Sequence, residues 1–339
     1  MSLKKLAEHL GLSQTTVSRA LNGYSDVSKE TRERVSIAAK ELGYRPNESA
    51  RRLATGRSNI IGVAFPTDEN KLVDPHFTEF LSGLAERAAE HDYDVLLSAT
   101  KGDDWKGLKR VVSSRTVDLV VLPSVDVSGE QISLVKSLDI PFVVHGRVKD
   151  RNDYAFLDID NYQVFYQPTK MLIDLGHKNI AILNGPRNRN YTNERLRGWQ
   201  DALAEIGIEA PAGYDAHARM TEAEGFAMAM ELLSRPDRPT ALVCSSTLLA
   251  SGAYRACSQL QLVVGRDVSI TAHDDELPFL SAMSFDPPLA VTRSSIRAAG
   301  REVASIVNRY LLGESWQSLQ TIWQAELVYR ASVAPLKAS

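Results

Sequence analysis

The chain has 339 residues, of which 44% are hydrophobic and 24% are charged, a composition typical of globular proteins. This length suits two or three domains, and because no run of eighteen apolar residues occurs, we expect no membrane-spanning segment and no membrane partner. The only cysteines are Cys244 and Cys257, too few for a disulfide framework or a zinc cluster. We therefore expect neither a metal site nor a cofactor.

The net charge of −3 conceals an uneven distribution along the chain. Residues 1–57 carry eleven Lys and Arg against six Asp and Glu, and the remainder carries 28 against 36. A basic N-terminal piece on an acidic body is typical of a nucleic-acid-binding head. A chance imbalance of surface charge is the weaker interpretation, because the basic piece coincides with a helix pair.

That helix pair surrounds Gly11. An apolar pattern of helical period begins at Leu3 and stops at Gly11, and Ser13 can then accept a backbone N–H bond to begin a second helix. Two short helices with a glycine in the turn predict a helix-turn-helix.

The second helix has one polar side and one apolar side. At about 100° per residue, the polar side holds Gln14, Thr15, Ser18, Arg19 and Asn22. Val17, Ala20 and Leu21 face the other way, where they can pack on the first helix. Gln pairs with adenine, and Arg with guanine or phosphate, in the major groove. The alternative is an ordinary amphipathic helix with a solvated face.

A third helix and a short basic segment follow. Ser28 is a good N-cap and Gly43 a good stop, which closes a three-helix head. The next segment, which we take as a hinge at 46–58, is too short to be a stable helix in water alone. It is either a flexible linker or a segment that folds when phosphates neutralise its arginines, with Leu53 as a wedge for the minor groove.

From Asn59 onward, strand-like and helix-like segments alternate in two series that separate near Asp150. Such alternation predicts parallel sheets covered by helices, hence an α/β body of two Rossmann-like subdomains with a cleft between them. We expect a head at 1–45, a hinge at 46–58 and a body at 59–339. Within the body, we assign about 59–150 and 289–339 to the first subdomain and about 151–288 to the second.

Several motifs in order resemble one family. They are Gly11-Leu12-Ser13, Thr16-Val17-Ser18-Arg19, Leu21-Asn22-Gly23, Tyr44-Arg45-Pro46-Asn47 with Ala50 and Leu53, Gly176-His177-Lys178-Asn179-Ile180-Ala181, and Arg195-Leu196-Arg197-Gly198. Together, at the family spacing and across essentially the whole chain, they resemble the LacI/GalR family of bacterial repressors. The run from Leu12 to Tyr24 is similar to repressors of α-glucoside uptake genes.

The resemblance implies a homodimer that binds a pseudo-palindromic double-stranded DNA operator. Gln14, Thr15 and Arg19 would face bases in the major groove, and paired hinge helices would push Leu53 into the central minor groove. The candidate DNA-contacting residues are Ser13, Gln14, Thr15, Thr16, Ser18, Arg19, Asn22, Asn47, Ala50, Arg51 and Leu53.

The resemblance also implies a body similar to periplasmic sugar-binding proteins, with a small sugar effector in its cleft. Carboxylates that accept hydroxyl hydrogen bonds and arginines that donate a fork suit a polyol. The candidate effector-binding residues are Asp74, His76, Phe77, Ser124, Arg147, Asp160, Arg195, Ser246 and Asp274. His76 and Ser124 are equally compatible with solvated loop positions, and Phe77 with a core position.

The chain departs from the family pattern at three places. Ser246-Thr247 replaces the usual Asn-Asp, and we expect Thr247 to cap the following helix. Ala272-His273-Asp274-Asp275 replaces Gly-Phe-Asp-Asp, and His273 on a strand is expected to be packed rather than a ligand. Met220, beside Arg219, stands where many members carry an aromatic residue.

Two other classes of protein are weighed against this interpretation. A solute-binding protein for a transporter would share the body, but it would need an export signal and would have no use for the head. An α/β enzyme is disfavoured because the chain has no Gly-x-Gly-x-x-Gly, Gly-x-x-x-x-Gly-Lys, Gly-x-Ser-x-Gly or His-Glu-x-x-His motif. The N-terminus has no signal-type stretch, so we expect a cytoplasmic protein.

Overall fold

The structure is a computed structural model that describes residues 2–21, 23–44, 57–66, 71–100 and 105–336. The chain divides into two compact units, Met1–Ser58 and Asn59–Ser339, which we call the head and the body. Most of the predicted hinge lies outside the described residues. In the described part of the chain, no helix is both long enough and apolar enough to span a membrane.

The head contains the three predicted helices, α1 (Leu3–Leu10), α2 (Gln14–Leu21) and α3 (Lys29–Glu41). Gly11 ends α1 with φ of 65°, a left-handed conformation that glycine adopts without strain. Each helix contributes one fully buried residue to the core of the head, namely Leu6, Val17 and Val35. The second helix therefore turns its apolar side inward, as the sequence predicts.

Serine hydroxyls cap the helices of the head. The predicted caps are confirmed, since Ser13 accepts the Thr16 N–H at 3.0 Å and Ser28 accepts the Thr31 N–H at 3.2 Å. Each bond satisfies one backbone donor that a helix leaves open at its N-terminus.

The body contains two six-stranded sheets. The first, in the order β11-β5-β4-β3-β1-β2, comprises β1 (Ile60–Pro66), β2 (Asp94–Thr100), β3 (Leu119–Leu122), β4 (Phe142–His145), β5 (Ala155–Ile159) and β11 (Gln320–Trp323). The second, in the order β12-β10-β9-β8-β6-β7, comprises β6 (Ile180–Asn184), β7 (Asp215–His217), β8 (Ala241–Cys244), β9 (Ser269–Asp274), β10 (Ala290–Arg293) and β12 (Glu326–Val328). All neighbouring strands are parallel except β10 and β12.

Helices pack on both sheets, because central strands such as β3 and β8 are apolar and buried on both faces. The first sheet carries α4 (Pro75–Ala89), α5 (Lys106–Ser113), α6 (Glu130–Ser137) and α11 (Ile296–Leu311). The second carries α7 (Asn161–Asp174), α8 (Asn190–Ala204), α9 (Glu222–Leu233) and α10 (Thr247–Gln259).

Glycines let α4 and α11 approach closely. A Cβ on Gly83 would lie 2.0 Å from the carbonyl oxygen of Arg297, and one on Gly300 would lie 2.1 Å from that of Phe80. The two helices can therefore pack at this separation only because neither position carries a side chain.

The division into subdomains differs from the predicted one. β5 pairs with β4 in the first sheet, so the first crossing comes after Ile159 rather than near Asp150. β10 and β12 belong to the second sheet, although both lie within the segment 289–339 that is predicted for the first subdomain. The strand pattern predicts that a strand forms, but it does not specify which neighbour the strand pairs with.

The chain consequently crosses between the sheets three times, after β5, after β10 and after β11. Two short strands, β11 and β12, follow the second crossing, one in each sheet. The C-terminal segment is tied to the second subdomain by His177, whose Nδ1 lies 2.9 Å from the Thr240 hydroxyl and whose Nε2 lies 3.0 Å from the Ala334 carbonyl oxygen.

Candidate functional site

A cavity of about 970 Å³ lies between the two sheets, at the carboxyl ends of their strands. Residues from both subdomains and from all three crossings line it, including Ile159, Ser295 and Trp323. In parallel α/β sheets, ligands bind outside the carboxyl ends of strands. The cavity is therefore the candidate ligand site of the body.

Six of the nine predicted effector-site residues line this cavity. They are Asp74, His76, Phe77, Ser124, Arg147 and Arg195. The structure therefore brings together residues that lie up to 121 positions apart in the sequence.

The other three predicted residues lie outside the lining and act as local caps. Asp160 accepts the Gln163 N–H at 3.1 Å at the start of α7. Ser246, which is fully buried, accepts the Leu249 N–H at 3.3 Å at the start of α10. Asp274 accepts the Glu276 N–H at 2.8 Å, and the next residue, Asp275, lines the cavity instead. The turn after β9 thus reaches the cavity through Asp275 rather than through the predicted Asp274.

An ion pair crosses the cavity between the subdomains. His76 lies at the start of α4 in the first subdomain, and its Nε2 is 3.2 Å from Oδ2 of Asp275 in the second. Nδ1 of the same ring is 3.2 Å from Oδ1 of Asp74, the N-cap of α4. Burial would lower the pKa of His76, but the carboxylates of Asp275 and Asp74 outweigh it and raise the pKa to about 9. The ring is therefore charged at neutral pH.

The partner carboxylate is correspondingly ionised. Burial would raise the pKa of Asp275, but His273, His76 and Arg195 hold it well below its usual range. Both groups are largely buried, so separating the two subdomains at this point would leave two buried charges without partners, at a cost in free energy.

A second network joins the first crossing to the second subdomain. Nε of Arg147 donates to Asp158 at 2.8 Å, and Asn161 donates to the same carboxylate at 3.1 Å. Arg195 in turn donates to Oδ1 of Asn161 at 3.0 Å and to the Ser245 carbonyl oxygen at 2.8 Å. Burial outweighs Arg147 and raises the pKa of Asp158 to about 6. The two predicted arginines are thus held by one chain of hydrogen bonds.

A third contact between the subdomains lies beside the cavity wall. Nη1 of Arg189 is 2.7 Å from Oδ1 of Asp126, and the Asn188 side chain donates to the same oxygen at 3.3 Å. The Val127 N–H also donates to the Asn188 carbonyl oxygen at 3.0 Å. This contact brings the segment after β3 against the segment after β6.

Aromatic side chains supply the apolar part of the lining. Phe77 lines the cavity and is also a core residue, with its ring 5.2 Å from that of Phe65. The Arg195 guanidinium lies over the Tyr191 ring at 5.1 Å, and Trp323 lies half-buried at the third crossing. Ring faces beside fixed hydrogen-bonding groups suit a ligand with both apolar and hydroxyl surfaces.

Sequence reasoning missed several lining residues. The main ones are Asp158, Arg189, Tyr191, Asp275 and Trp323. Asp158 had a readable signal, an acidic residue at the end of an apolar strand. Arg189 and Tyr191 lie in a loop and a helix start that no pattern distinguishes from solvated surface.

The departures from the family pattern have clear places in the structure. Ser246, not Thr247, caps α10, and the Thr247 hydroxyl makes no hydrogen bond to the residues that the structure describes. The expectation that Thr247 is the cap is therefore wrong. His273 is packed, as expected, with its ring 3.1 Å from the Thr292 hydroxyl, and burial lowers its pKa to about 4. Arg219 and Met220 both line the cavity.

The polar side of α2 is a second candidate surface. Ser13, Gln14, Thr15 and Arg19 are exposed there, while Thr16 and Ser18 are half-buried. Asn22, Asn47, Ala50, Arg51 and Leu53, also predicted to contact DNA, lie outside the described residues. Among the residues with described positions, no group of three or more His, Cys, Asp or Glu is placed to hold a metal ion.

Both units match family models. Residues 2–47 match the model described as bacterial regulatory proteins, lacI family. Residues 59–321 match the one described as periplasmic binding proteins and sugar binding domain of LacI family.

Curated relatives cover almost the whole chain. The HTH-type transcriptional regulator AglR of Rhizobium meliloti (strain 1021) is 45% identical over 99% of this chain and 95% of its own length. The HTH-type transcriptional regulator RafR of Escherichia coli is 37% identical over 95% of this chain and 96% of its own.

Solved structures agree with the fold. The lac repressor dimer bound to operator and the anti-inducer ONPF has a TM-score of 0.83 at 25% identity, covering 98% of this chain and 99% of its own. A complex of the transcriptional regulator CelR with cellobiose has a TM-score of 0.72 at 26% identity, with the same coverage.

The ion pair across the cavity predicts a pH-dependent stability. Because the pKa of His76 is raised from 6.5 to about 9, its contribution is complete below pH 6.5 and is lost as the pH rises through 9. His76→Gln should therefore lower the free energy of unfolding more at pH 6 than at pH 9.5, by about 3 kcal/mol at ~1.4 kcal/mol per pKa unit. Urea unfolding of both proteins at each pH measures this difference.

His91→Gln, just beyond the far end of α4, is the matched control and should leave the pH dependence of wild type unchanged. A destabilisation by His76→Gln that is equal at both pH values would contradict the charged pair.

Proposed function

The chain belongs to the lacI family of bacterial regulatory proteins, and we propose that it is a homodimeric repressor whose hold on operator DNA is controlled by a sugar bound in the cavity. As a member of this family it is an effector-controlled, DNA-binding transcriptional regulator and not an enzyme. The observation that carries the proposal is the cavity, lined from both subdomains, on the same chain as a helix-turn-helix head. A regulator that binds operator DNA acts where the chromosome is, in the bacterial cytoplasm.

The chemistry of the lining favours a sugar. Asp158, Asp275 and Asp74 offer carboxylate oxygens that accept bonds from hydroxyl groups, and Arg147 and Arg189 offer N–H donors. Arg147 already pairs with Asp158, Arg189 pairs with Asp126, and His76 pairs with both Asp74 and Asp275, so these groups are fixed in position before a ligand arrives. A volume of about 970 Å³ is near the upper end of the roughly 300–1,000 Å³ usual for ligand sites, enough for more than one sugar ring.

We propose an α-glucoside as the class of sugar. The run from Leu12 to Tyr24 is similar to repressors of α-glucoside uptake genes, and the chain is 45% identical to AglR. The CelR structure holds cellobiose, a disaccharide of glucose, in a protein of the same fold. Trp323 and Tyr191 would cover the ring faces of the sugar, and Arg147, Arg195 and Asp275 would bind its hydroxyl groups.

A homodimer is supported by exposed apolar residues of the body. Phe279 and Met283, in the loop after β9, are 64% and 61% exposed. Both side chains are large and apolar, and they lie on one short segment. Such an exposed apolar segment suits an interface between two copies of this chain. Two heads would then read the two halves of a pseudo-palindromic operator.

We propose that the ligand acts by changing how the two subdomains meet. Closing of the cleft around a sugar would rotate one subdomain against the other in each protomer and separate the two hinges of the dimer. Leu53 would then leave the minor groove and the operator would be released. Coupling of this kind is typically ~1–3 kcal/mol per effector site.

The choice of sugar can be tested by thermal stability. Maltose, sucrose and trehalose, at concentrations about 100 times the dissociation constant, should stabilise the protein by about 2.7 kcal/mol. Cellobiose and lactose, which are β-linked, should stabilise it less. Stabilisation by the β-linked sugars alone would contradict the proposed class.

The site itself can be tested by calorimetry with the best of these sugars. Trp323→Ala should weaken binding by about 1–3 kcal/mol, since it removes an aromatic surface from the ligand. Trp316→Ala, which removes a tryptophan outside the cavity lining, is the matched control and should bind like wild type. Equal losses in the two variants would rule out a specific role of Trp323.

The DNA-reading role of α2 can be tested with Arg19→Ala. If Arg19 donates two bonds to a guanine, the variant should lose about 1–3 kcal/mol of operator affinity and its preference at one base pair. Arg34→Ala, an exposed arginine of α3, should keep the base preference. Anisotropy titrations of labelled duplexes measure both, and an unchanged preference in Arg19→Ala would place Arg19 on phosphate.

A further inference from the structure

The loop that follows α2 places two side chains against Arg19. Nη2 of Arg19 is 2.8 Å from Oδ2 of Asp26, and its guanidinium carbon is 5.2 Å from the centre of the Tyr24 ring. Asp26 therefore contacts one nitrogen of the guanidinium, and the guanidinium lies over the ring of Tyr24. Arg19 and Asp26 remain 47% and 49% exposed, so both are accessible to a ligand of the head.

The backbone fixes where this loop lies. Gly23 has φ of 72°, and the next N–H, that of Tyr24, donates to the Arg19 carbonyl oxygen at 3.1 Å. On the other side of Asp26, Val27 is buried in the core of the head and its N–H donates to the Tyr24 carbonyl oxygen at 3.3 Å.

Two contacts to α3 complete the loop. Arg32 donates to the Gly23 carbonyl oxygen at 3.2 Å, and Ser28 caps α3 two residues after Asp26. Tyr24 and Asp26 are thus presented to Arg19 by a loop held at both ends.

The ion pair has little to do with folding. An exposed pair of this kind contributes little to stability, because both side chains lose freedom and water screens the charges. What it does change is the freedom of Arg19, a long side chain that would otherwise sample many rotamers.

The remaining donors of Arg19 suit a base edge. A guanidinium has five N–H groups, and Asp26 contacts only Nη2, so among the described contacts N–H groups of Nε and Nη1 remain for a ligand. Guanine presents two acceptors, O6 and N7, side by side in the major groove. An arginine side chain held in one orientation can donate to both of these acceptors. A side chain that samples many rotamers can equally well donate to a phosphate.

We propose that Asp26 and Tyr24 are positioning residues that orient Arg19 toward a guanine, and that they set operator specificity without touching a base. This inference rests on the proposed base-reading role of Arg19. Removing Asp26 should lower the discrimination between duplexes that differ at this guanine. It should do so even if overall affinity for DNA rises, because the loss of a negative charge strengthens binding to the phosphates of every duplex.

The test uses the full chain and a duplex that the wild-type protein selects from a randomised pool. Binding of Arg19→Ala first identifies the guanine at which this variant has lost its preference. That guanine is then replaced in the selected duplex. The readout is the dissociation constant for the replaced duplex divided by that for the selected duplex. We expect Asp26→Asn and Asp26→Ala to lower this ratio threefold or more while binding to a scrambled duplex stays equal or tightens. Retained binding to the scrambled duplex also shows that the head is folded.

Three comparisons isolate the effect. Glu33→Gln, an exposed residue of α3, makes the same change of charge and should leave the ratio at its wild-type value. Tyr24→Phe keeps the ring and should keep the ratio, whereas Tyr24→Leu should lower it. In the Arg19→Ala background, Asp26→Asn should change the ratio no further.

Two results would overturn the inference in distinguishable ways. If Asp26→Asn tightens binding to every duplex equally and leaves the ratio unchanged, Asp26 only weakens binding to phosphates. The base-reading role of Arg19 would then stand, but Asp26 would not orient it. If Arg19→Ala changes the preference at no base pair, Arg19 reads no base, and this part of the proposed function fails together with the inference.

Discussion

Charges buried in the cavity must have partners, and this requirement links the two subdomains. His76 and Asp275 come from opposite sides of the cleft, as do Asp126 and Arg189. Removing one member of such a pair leaves the other charge buried without a partner. This destabilises the protein by more than the intact pair stabilises it. The arrangement of the subdomains is therefore part of the binding site, and a ligand that replaces these contacts changes that arrangement.

The path of the chain makes such a change possible. Because the backbone crosses three times between the sheets, each subdomain keeps its own core while the crossings form a narrow connection. Residues of all three crossings line the cavity, so a bound sugar would touch the segments about which the subdomains move. A small ligand could act on the head in this way, provided that it binds the two arrangements of the subdomains with different affinities.

The sequence predicts the architecture well because hydrophobic periodicity and helix caps are local. Gly11, Ser13 and Ser28 have their predicted roles, and most strands lie where apolar runs occur. The pairing of strands is not local, which is why β5, β10 and β12 are assigned to the wrong subdomain. A strand such as β7, with one alanine between an aspartate and a histidine, carries no pattern at all.

The sequence predicts which loops contribute residues to the cavity more reliably than which side chains of those loops face it. Neighbouring residues such as Asp274 and Asp275 have the same chemistry, and only the backbone decides which one caps a turn and which one faces the cavity. In the same way, only the backbone decides that Ser246 rather than Thr247 caps α10. In the head, Arg19 is identifiable from the helical period, but its contacts with Tyr24 and Asp26 depend on how the following loop folds back.

The central claim is that the cavity and the head are coupled, and reciprocity tests it directly. The dissociation constant of the operator should be measured with and without saturating sugar, and that of the sugar with and without saturating operator. Our account predicts that the two ratios are equal and that each ligand weakens the binding of the other. Ratios of one in both titrations would contradict it, because the two sites would then be independent.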